Sequence, residues 1–206
     1  MRAMKRVVAA VAAGSAILSG GAAAAQTDQP TVVLHTTLGD ITLRPDAEHA
    51  PITTCNFLRY VESGRYAEGS FFRTVVAATN DNPNPIDVIQ AATTAGSDDP
   101  GLGPIPLERT RDTGLRHSAG AISMARDGPG TATSSFFIVV KDMPALDFGG
   151  GRNPDGQGFA AFGAVVSGMD VVRTIQSAPA TDEQLAEPVV ITSATLEGAR
   201  PAACDR

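Results

Sequence analysis

The sequence predicts a mainly β fold, an eight-stranded antiparallel β-barrel capped by two α-helices. Eight short runs are rich in β-branched residues or alternate apolar and polar side chains, whereas only two stretches have the spacing of a helix. Strands and helices do not alternate along the chain as they do in parallel βαβ units. A closed or nearly closed antiparallel barrel with helices over its ends is the simplest arrangement that buries these strands.

The predicted strands are short and are separated by turn residues. The first two enclose the sequence TLGD, a hairpin turn in which Gly39 can adopt a positive φ. Three long loops rich in Gly, Pro and polar residues, at 77–85, 92–106 and 147–158, have lengths that usually indicate function or mobility. The eight strand runs are 32–36, 41–44, 71–76, 86–90, 121–125, 135–140, 159–166 and 189–196.

The two predicted helices cover residues 50–64 and 168–178. In the first, Ile52, Phe57 and Val61 supply apolar side chains at helical spacing, and a proline stands near the first turn. The second reads GMDVVRTIQSA and again has its apolar residues on one side. We expect both helices to pack on the barrel rather than to form a separate domain, since 206 residues suit one domain plus an export segment.

Residues 1–25 have the pattern of a secretory signal peptide. A basic start, MRAMKR, precedes an apolar stretch and a run of small residues that ends in an Ala-x-Ala motif. We expect cleavage before Gln26 and release to the periplasm or the medium. Glycines and serines interrupt the apolar stretch, so a membrane anchor fits less well. The mature chain then divides into a leader (26–30), one domain (31–200) and a C-terminal tail (201–206).

The charge of the chain argues against nucleic acid as a partner. The chain has 16 basic and 22 acidic residues, a formal net charge of −6. Removing residues 1–25 takes away three basic residues and no acid, which leaves 13 against 22, or −9. Phosphate binding requires a basic surface, and the sequence contains no basic stripe.

The mature chain keeps two cysteines, Cys55 in the first predicted helix and Cys204 in the tail. In an oxidising compartment such a pair can form a disulfide, and two free thiols are the alternative. We expect the pair to lie close enough to bond, which requires a Cα separation below about 7 Å.

Hydrolytic and metal-dependent chemistry is not expected. The histidines, His35, His49 and His117, lie near no G-x-S-x-G elbow, and none has a histidine partner four residues away. The cysteines lack C-x-x-C spacing, and the glycine clusters lack the lysine and helix of a phosphate loop. We therefore predict neither a metal nor any other cofactor.

Arg73 stands within the apolar run GSFFRTVV and invites two interpretations. Alternation along a strand places it on one face with Phe71 and Val75. A lone arginine in this setting is usually solvated or extends its charged end to water along the wet face of a sheet. The alternative is that the guanidinium serves a site on the barrel.

An ordered series of short motifs favours the second interpretation. APITTCNF, SFFRTV, VIQAA, HSAGAISMAR, GPGTATSSFFI, ALD and FAAFGAVVSGMDVV follow one another across nearly the whole mature chain. Each motif is weak alone, but in this order they resemble the cyclophilin family of peptidyl-prolyl cis-trans isomerases. The resemblance implies an eight-stranded barrel capped by two helices, the architecture predicted above from periodicity.

The resemblance also implies roles for individual residues. Arg73 falls on the catalytic arginine and Gln90 on the glutamine that binds the substrate backbone. Val88, Phe137 and Leu146 fall on apolar residues of the proline pocket, with Phe137 as its floor. We expect the Arg73 guanidinium to lie above this pocket, close to Gln90 and free of any salt bridge.

Two further segments are implicated by the same resemblance. Ala125 and Arg126 align with the short edge that pairs with the residue before proline, and Phe159 aligns with a residue of the pocket wall. The chain departs from the family at four positions. Ser135 replaces a frequent glutamine, Asp87 a phenylalanine, Ala145 an aromatic residue, and Phe159 a histidine or tyrosine.

The activity implied is acceleration of Xaa-Pro rotation during the folding of exported proteins, by a chain that we expect to be monomeric. Its partners would be proline-containing segments of those proteins, with no membrane bound after signal cleavage. An alternative is a binding module or holdase chaperone that grips such segments with weak or no isomerase activity. A third possibility is a structural barrel with no site, in which Arg73 is only a surface residue.

Overall fold

The computed structural model describes residues 29–96 and 100–205. The predicted signal peptide lies outside the described residues. The described residues form nine strands, of which eight match the predicted runs. They are β1 (Thr31–Thr36), β2 (Gly39–Pro45), β3 (Gly69–Val75), β4 (Val88–Ala92), β5 (Ala121–Met124), β6 (Phe136–Val139), β7 (Ala160–Ser167), β8 (Ala180–Thr181) and β9 (Gln184–Glu197).

Eight of these strands close into an antiparallel barrel. The order around the barrel is β1-β2-β7-β5-β6-β4-β3-β9, and β9 pairs again with β1 to complete it. The two-residue strand β8 pairs with β9 beside the barrel. Gly39 has a φ of +125° in the β1–β2 hairpin, so the predicted turn needs a residue without a Cβ there. The predicted barrel is confirmed.

Within the described ranges three α-helices accompany the barrel: α1 (Pro51–Glu62), α2 (Thr110–Thr113) and α3 (Met169–Gln176). The one-turn helix α2 was not predicted. Ile52 differs from the expectation for α1, since it is 44% exposed at the first turn. Its N–H, like that of Thr53, donates to the carboxylate of Glu108, which satisfies two of the free donors at the start of the helix. No helix of the described residues is long and apolar enough to span a membrane.

An aromatic cluster joins α1 to the inside of the barrel. Phe57 of α1 is fully buried, and its ring centroid lies 5.3–5.4 Å from those of Tyr66, Phe136 and Phe162. Such pairs stabilise beyond the area they bury, and here they connect α1 to β6 and β7. The core therefore fixes α1 over one end of the barrel.

A disulfide joins the two cysteines. Cys55 of α1 is bonded to Cys204 with a Cα separation of 5.1 Å, inside the expected limit. Cys204 lies in a short 3₁₀ turn, Ala202–Asp205. Arg200 also pairs with Glu62 at the end of α1, at 3.1 Å. The predicted tail is thereby held against the first helix.

Asp87, where the family frequently has phenylalanine, is a buried structural carboxylate. It is 2% exposed, and it accepts hydrogen bonds from the N–H of Ala77 and the amide of Gln176 at 3.0 and 3.1 Å. Its other oxygen accepts from Lys141 at 3.1 Å. The carboxylate thus connects the β3–β4 loop to the end of α3.

Replacing Asp87 with Ala is expected to lower the free energy of unfolding by about 2–3 kcal/mol, because two partly buried donors lose their buried acceptor. Asp87→Asn, which keeps one acceptor oxygen, should cost less. Urea unfolding of both variants checks this. Equal stability of Asp87→Ala and the wild type would show that the carboxylate does not hold these segments.

Candidate functional site

Strand register places the three central site residues in a row. Arg73 of β3 stands opposite Gln90 of β4, and Gln90 stands opposite Phe137 of β6. Neighbouring strands bring such partners side by side on one face of the sheet. The row borders a cavity of about 290 Å³ that is open to solvent and is lined also by Leu146 and Phe159. These five predicted site residues therefore lie together.

The floor of the cavity is aromatic. Phe137 is 5% exposed, and its ring meets that of Phe159 edge to face, with centroids 5.4 Å apart. Leu146 is buried beside them in a small apolar cluster that also contains Ile86. The cavity thus offers an apolar seat for a ring within a lining that is otherwise largely polar.

Val88 does not line this cavity, contrary to expectation. It is 3% exposed and packs within the apolar cluster beneath the floor, between its strand partners Val75 and Val139. Ile86, two residues earlier, lines the cavity instead. The place in the pocket that the resemblance implied for Val88 is therefore wrong.

Arg73 is held by hydrogen bonds at both edges of its guanidinium. Its Nη1 donates to Oε1 of Gln90 at 2.9 Å, and its Nε donates to Oε2 of Glu183 at 3.0 Å, with Nη2 bonded to the same oxygen. The expectation that Arg73 makes no salt bridge is therefore wrong. Glu183 belongs to the turn between β8 and β9, a hairpin that the strand pattern did not predict.

Ser135, at one of the four positions where the chain departs from the family, is hydrogen-bonded within the site. The amide of Gln90 donates to Oγ of Ser135 at 3.0 Å, and Ser135 donates to the carbonyl of Ala91 at 3.0 Å. Because these bonds fix the amide group, Gln90 presents its oxygen to Arg73. Ser135 thus orients the glutamine in this chain.

The predicted edge at Ala125 and Arg126 borders the cavity, but the Arg126 side chain is committed to the protein. Its guanidinium pairs with Asp155 at 2.8 Å, donates to the carbonyl of Gly158 and lies 5.1 Å from the ring centroid of Phe159. The N–H of Ala125 donates to the carbonyl of Ser135. This edge can serve a substrate only through its remaining backbone groups, while Arg126 holds the 147–158 loop and Phe159 in place.

Two polar residues of the long loops, Arg152 at the cavity and Asn80 beside Glu183, were not predicted from the sequence. Arg152 of the 147–158 loop donates to Oδ1 of Asn80 at 2.7 Å, and Asn80 donates to Oε1 of Glu183 at 2.6 Å. Burial and the nearby charge of Arg73 lower the pKa of Arg152, and Glu183 opposes this shift. Only the length of the two loops signalled a role for them.

A serine, a histidine and an aspartate form a hydrogen-bonded chain behind the floor. Nδ1 of His117 lies 2.8 Å from Asp147, and Nε2 lies 2.9 Å from Oγ of Ser123. His117 and Ser123 are 2% and 0% exposed, so no substrate can reach the hydroxyl and the chain is not a hydrolytic site. The imidazole is stacked on Phe137 with centroids 6.1 Å apart, and it supports the floor.

Bonds and charges around Asp147 stabilise its ionised form. Burial alone would raise its pKa, but hydrogen bonds from the side chain and N–H of His117, together with the charges of His117 and Arg116, lower the pKa below its ordinary value. The carboxylate therefore remains an acceptor at neutral pH, and Nδ1 of His117 carries a proton toward it.

Comparisons with known proteins agree with this geometry. A model of the cyclophilin type peptidyl-prolyl cis-trans isomerase family matches residues 31–196. The chain is 36% identical over 176 residues to peptidyl-prolyl cis-trans isomerase cyp18 of Streptomyces antibioticus, covering 82% of this chain and 99% of that protein. It is 34% identical over 200 residues to peptidyl-prolyl cis-trans isomerase A of Dickeya dadantii, covering 93% and 97%.

A solved structure of the same family has a similar fold. A cyclophilin type peptidyl-prolyl cis-trans isomerase from Cryptosporidium parvum superposes with a TM-score of 0.67 at 22% identity, covering 84% of this chain and 99% of that one. With the barrel and with relatives named as isomerases over most of its length, the chain belongs to the cyclophilin family and is a peptidyl-prolyl cis-trans isomerase.

Proposed function

We propose that the Arg73 cleft is where this isomerase acts, and that its substrates are proline-containing segments of exported proteins during folding. The observation that carries this proposal is the position of a fixed arginine beside an apolar seat. Of the five N–H donors of Arg73, three are bonded to Glu183 and Gln90, which leaves two without a partner among the described residues. Those two donors are available to a substrate.

The reaction needs no acid, base or nucleophile. Rotation about the Xaa-Pro bond is slow because amide resonance gives a barrier of about 18–20 kcal/mol. In the proposed mechanism the proline ring sits on Phe137 while the preceding segment turns. A cation aimed at the prolyl nitrogen stabilises the state in which resonance is lost and the lone pair is localised there.

Each proposed group has a separate task. Arg73 supplies a charge that persists at every relevant pH and a rigid fork of donors. Gln90 holds that fork and lies beside the path of the substrate backbone. Phe137, Leu146 and Phe159 exclude water and bind the ring through apolar contact.

Export is supported by two independent features. The first is the signal-peptide pattern of residues 1–25. The second is the Cys55–Cys204 disulfide, a bond that persists in oxidising compartments. In those compartments, protein folding includes proline isomerisation steps that last tens of seconds without a catalyst. Exported proteins would therefore be substrates for this isomerase, which we expect to be monomeric.

The export proposal is tested by expressing the full chain in a Gram-negative host, fractionating the cells and sequencing the N-terminus of the protein. We expect it in the periplasm with Gln26 as its first residue. Protein that stays in the cytoplasm with residues 1–25 attached would contradict the proposal. An Ala23→Asp or Ala25→Asp variant serves as the uncleaved control.

A further inference from the structure

We infer that Glu183 is a positioning residue for isomerisation, one that fixes the Arg73 guanidinium for the substrate. The inference rests on the catalytic assignment of Arg73 proposed above. Glu183 does not face the proline seat and is not among the residues that line it. Its carboxylate reaches Arg73 from the opposite side and receives the Nε and Nη2 donors on a single oxygen, Oε2.

The carboxylate is itself held in place. Its other oxygen, Oε1, accepts from Asn80 at 2.6 Å, and Asn80 is held by Arg152 at 2.7 Å. The backbone carbonyl of Glu183 accepts from the N–H of Thr74 at 2.9 Å, next to Arg73 on β3. Glu183 therefore cannot follow Arg73 if the arginine moves, and it acts as a fixed acceptor.

The turn that carries Glu183 has an unusual backbone. Asp182 and Glu183 have φ values of +49° and +67°, a region that side chains other than Gly, Asn and Asp seldom adopt. Two successive positive φ values are typical of the type I′ turn that joins two strands of a hairpin. Such turns favour glycine or asparagine. A glutamate at position 183 therefore lowers the free energy of unfolding relative to those residues.

Stability does not explain the ion pair. The side chains of Arg73 and Glu183 are 31% and 29% exposed, and ion pairs with this degree of exposure contribute little to folding. Orientation offers a sufficient reason. An arginine has four rotatable side-chain bonds, and a guanidinium that is bonded on both edges reaches the substrate already aimed, with its reorganisation completed before binding.

The test uses three substitutions at the β8–β9 turn. Glu183→Asn suits a positive φ but is too short to reach Arg73, and Glu183→Gln keeps the reach without the charge. Asp182→Asn removes the neighbouring acid of the same turn and is the matched control. The rotation rate of an Ala-Pro peptide on the enzyme and the peptide Kd are measured separately by NMR exchange, with thermal unfolding recorded for each variant.

We expect Glu183→Asn to slow rotation on the enzyme by a factor of about 10–100, the scale of losing the alignment of one reacting group, while the peptide Kd changes far less. Glu183→Gln should recover part of the rate, because a neutral oxygen makes a hydrogen bond about half as strong as a carboxylate does. Asp182→Asn should leave the rate unchanged. In an Arg73→Ala background, Glu183→Asn should have no further effect on rotation.

Three results would overturn the inference. An unchanged or increased rate in Glu183→Asn would show that the carboxylate does not position Arg73, or that it weakens the cation. An equal loss in Asp182→Asn would indicate a general effect of charge. An undiminished effect in the Arg73→Ala background would indicate a structural role. If Arg73→Ala itself retains full activity, the proposed site is wrong, and that outcome is distinct from these three.

Discussion

Replacing Arg73 with Ala is expected to lower kcat/KM for a proline peptide by a factor of about 10²–10³, the usual cost of losing one preorganised electrostatic donor. This corresponds to about 2.7–4 kcal/mol of transition-state stabilisation. Stability should change little, because the side chain is partly exposed and its ion pair contributes little to folding. A protease-coupled assay of peptide isomerisation, with urea unfolding alongside, measures both quantities.

Arg73→Lys is the informative control for this prediction. Lysine keeps the charge but presents it as a point on a flexible stem, so it cannot donate to Glu183 and Gln90 in the same fixed geometry. It should recover only part of the lost activity. Full activity in Arg73→Ala at unchanged stability would show that Arg73 is an ordinary strand residue with no catalytic role.

Removing the disulfide is expected to have the largest effect on stability. Cys55 and Cys204 are 149 positions apart, and in the chain-entropy model closing a loop of that length stabilises the folded state by about 5 kcal/mol. A Cys55→Ala, Cys204→Ala double variant should lose much of this in urea unfolding. The bond joins α1 to the tail and lies away from the Arg73 cleft. The double variant, once folded, should therefore still catalyse isomerisation.

Chemical reduction of the wild type provides the matching measurement. Wild type unfolded in the presence of a thiol reductant should show the midpoint of the double variant, and reductant should not affect the variant. A loss below about 1 kcal/mol in both experiments would show that the tail adds no constraint to the unfolded chain.

Most of the barrel could be predicted because its signals are local. Alternation and turn residues identify each of the eight barrel strands within a few positions, and the β1–β2 turn is marked by Gly39. The strand β8 has only two residues, too few for any alternation to show. The one-turn helix α2 escaped prediction for the same reason.

Some residues of the site could be predicted from local motifs and others could not. Arg73, Gln90 and Phe137 lie on strands whose motifs are intact, so the resemblance placed them correctly beside one another. Glu183 is 110 positions from Arg73 in sequence and reaches it only through the β8–β9 hairpin. No local pattern links the two residues, and the salt bridge could not be predicted from either segment.

Side-chain partners across loops were equally hidden. The sequence shows Arg126 beside Ala125 at the end of a strand, but its binding to Asp155 depends on how the 147–158 loop folds back. Likewise the resemblance assigned Val88 to the pocket, but a match of motifs does not give the depth at which a side chain is buried. Both the Asp155 contact and the burial of Val88 depend on packing, which short sequence motifs do not encode.

The most direct test of the central claim is rotation of an Xaa-Pro bond on the enzyme itself, followed by NMR exchange with saturating peptide. If the Arg73 cleft is the catalytic site, Arg73→Ala should still bind the peptide, with resonances around Phe137 shifted as in the wild type, while cis/trans exchange of the bound peptide slows by a factor of about 10²–10³. Exchange at the wild-type rate in the bound Arg73→Ala variant would contradict the account.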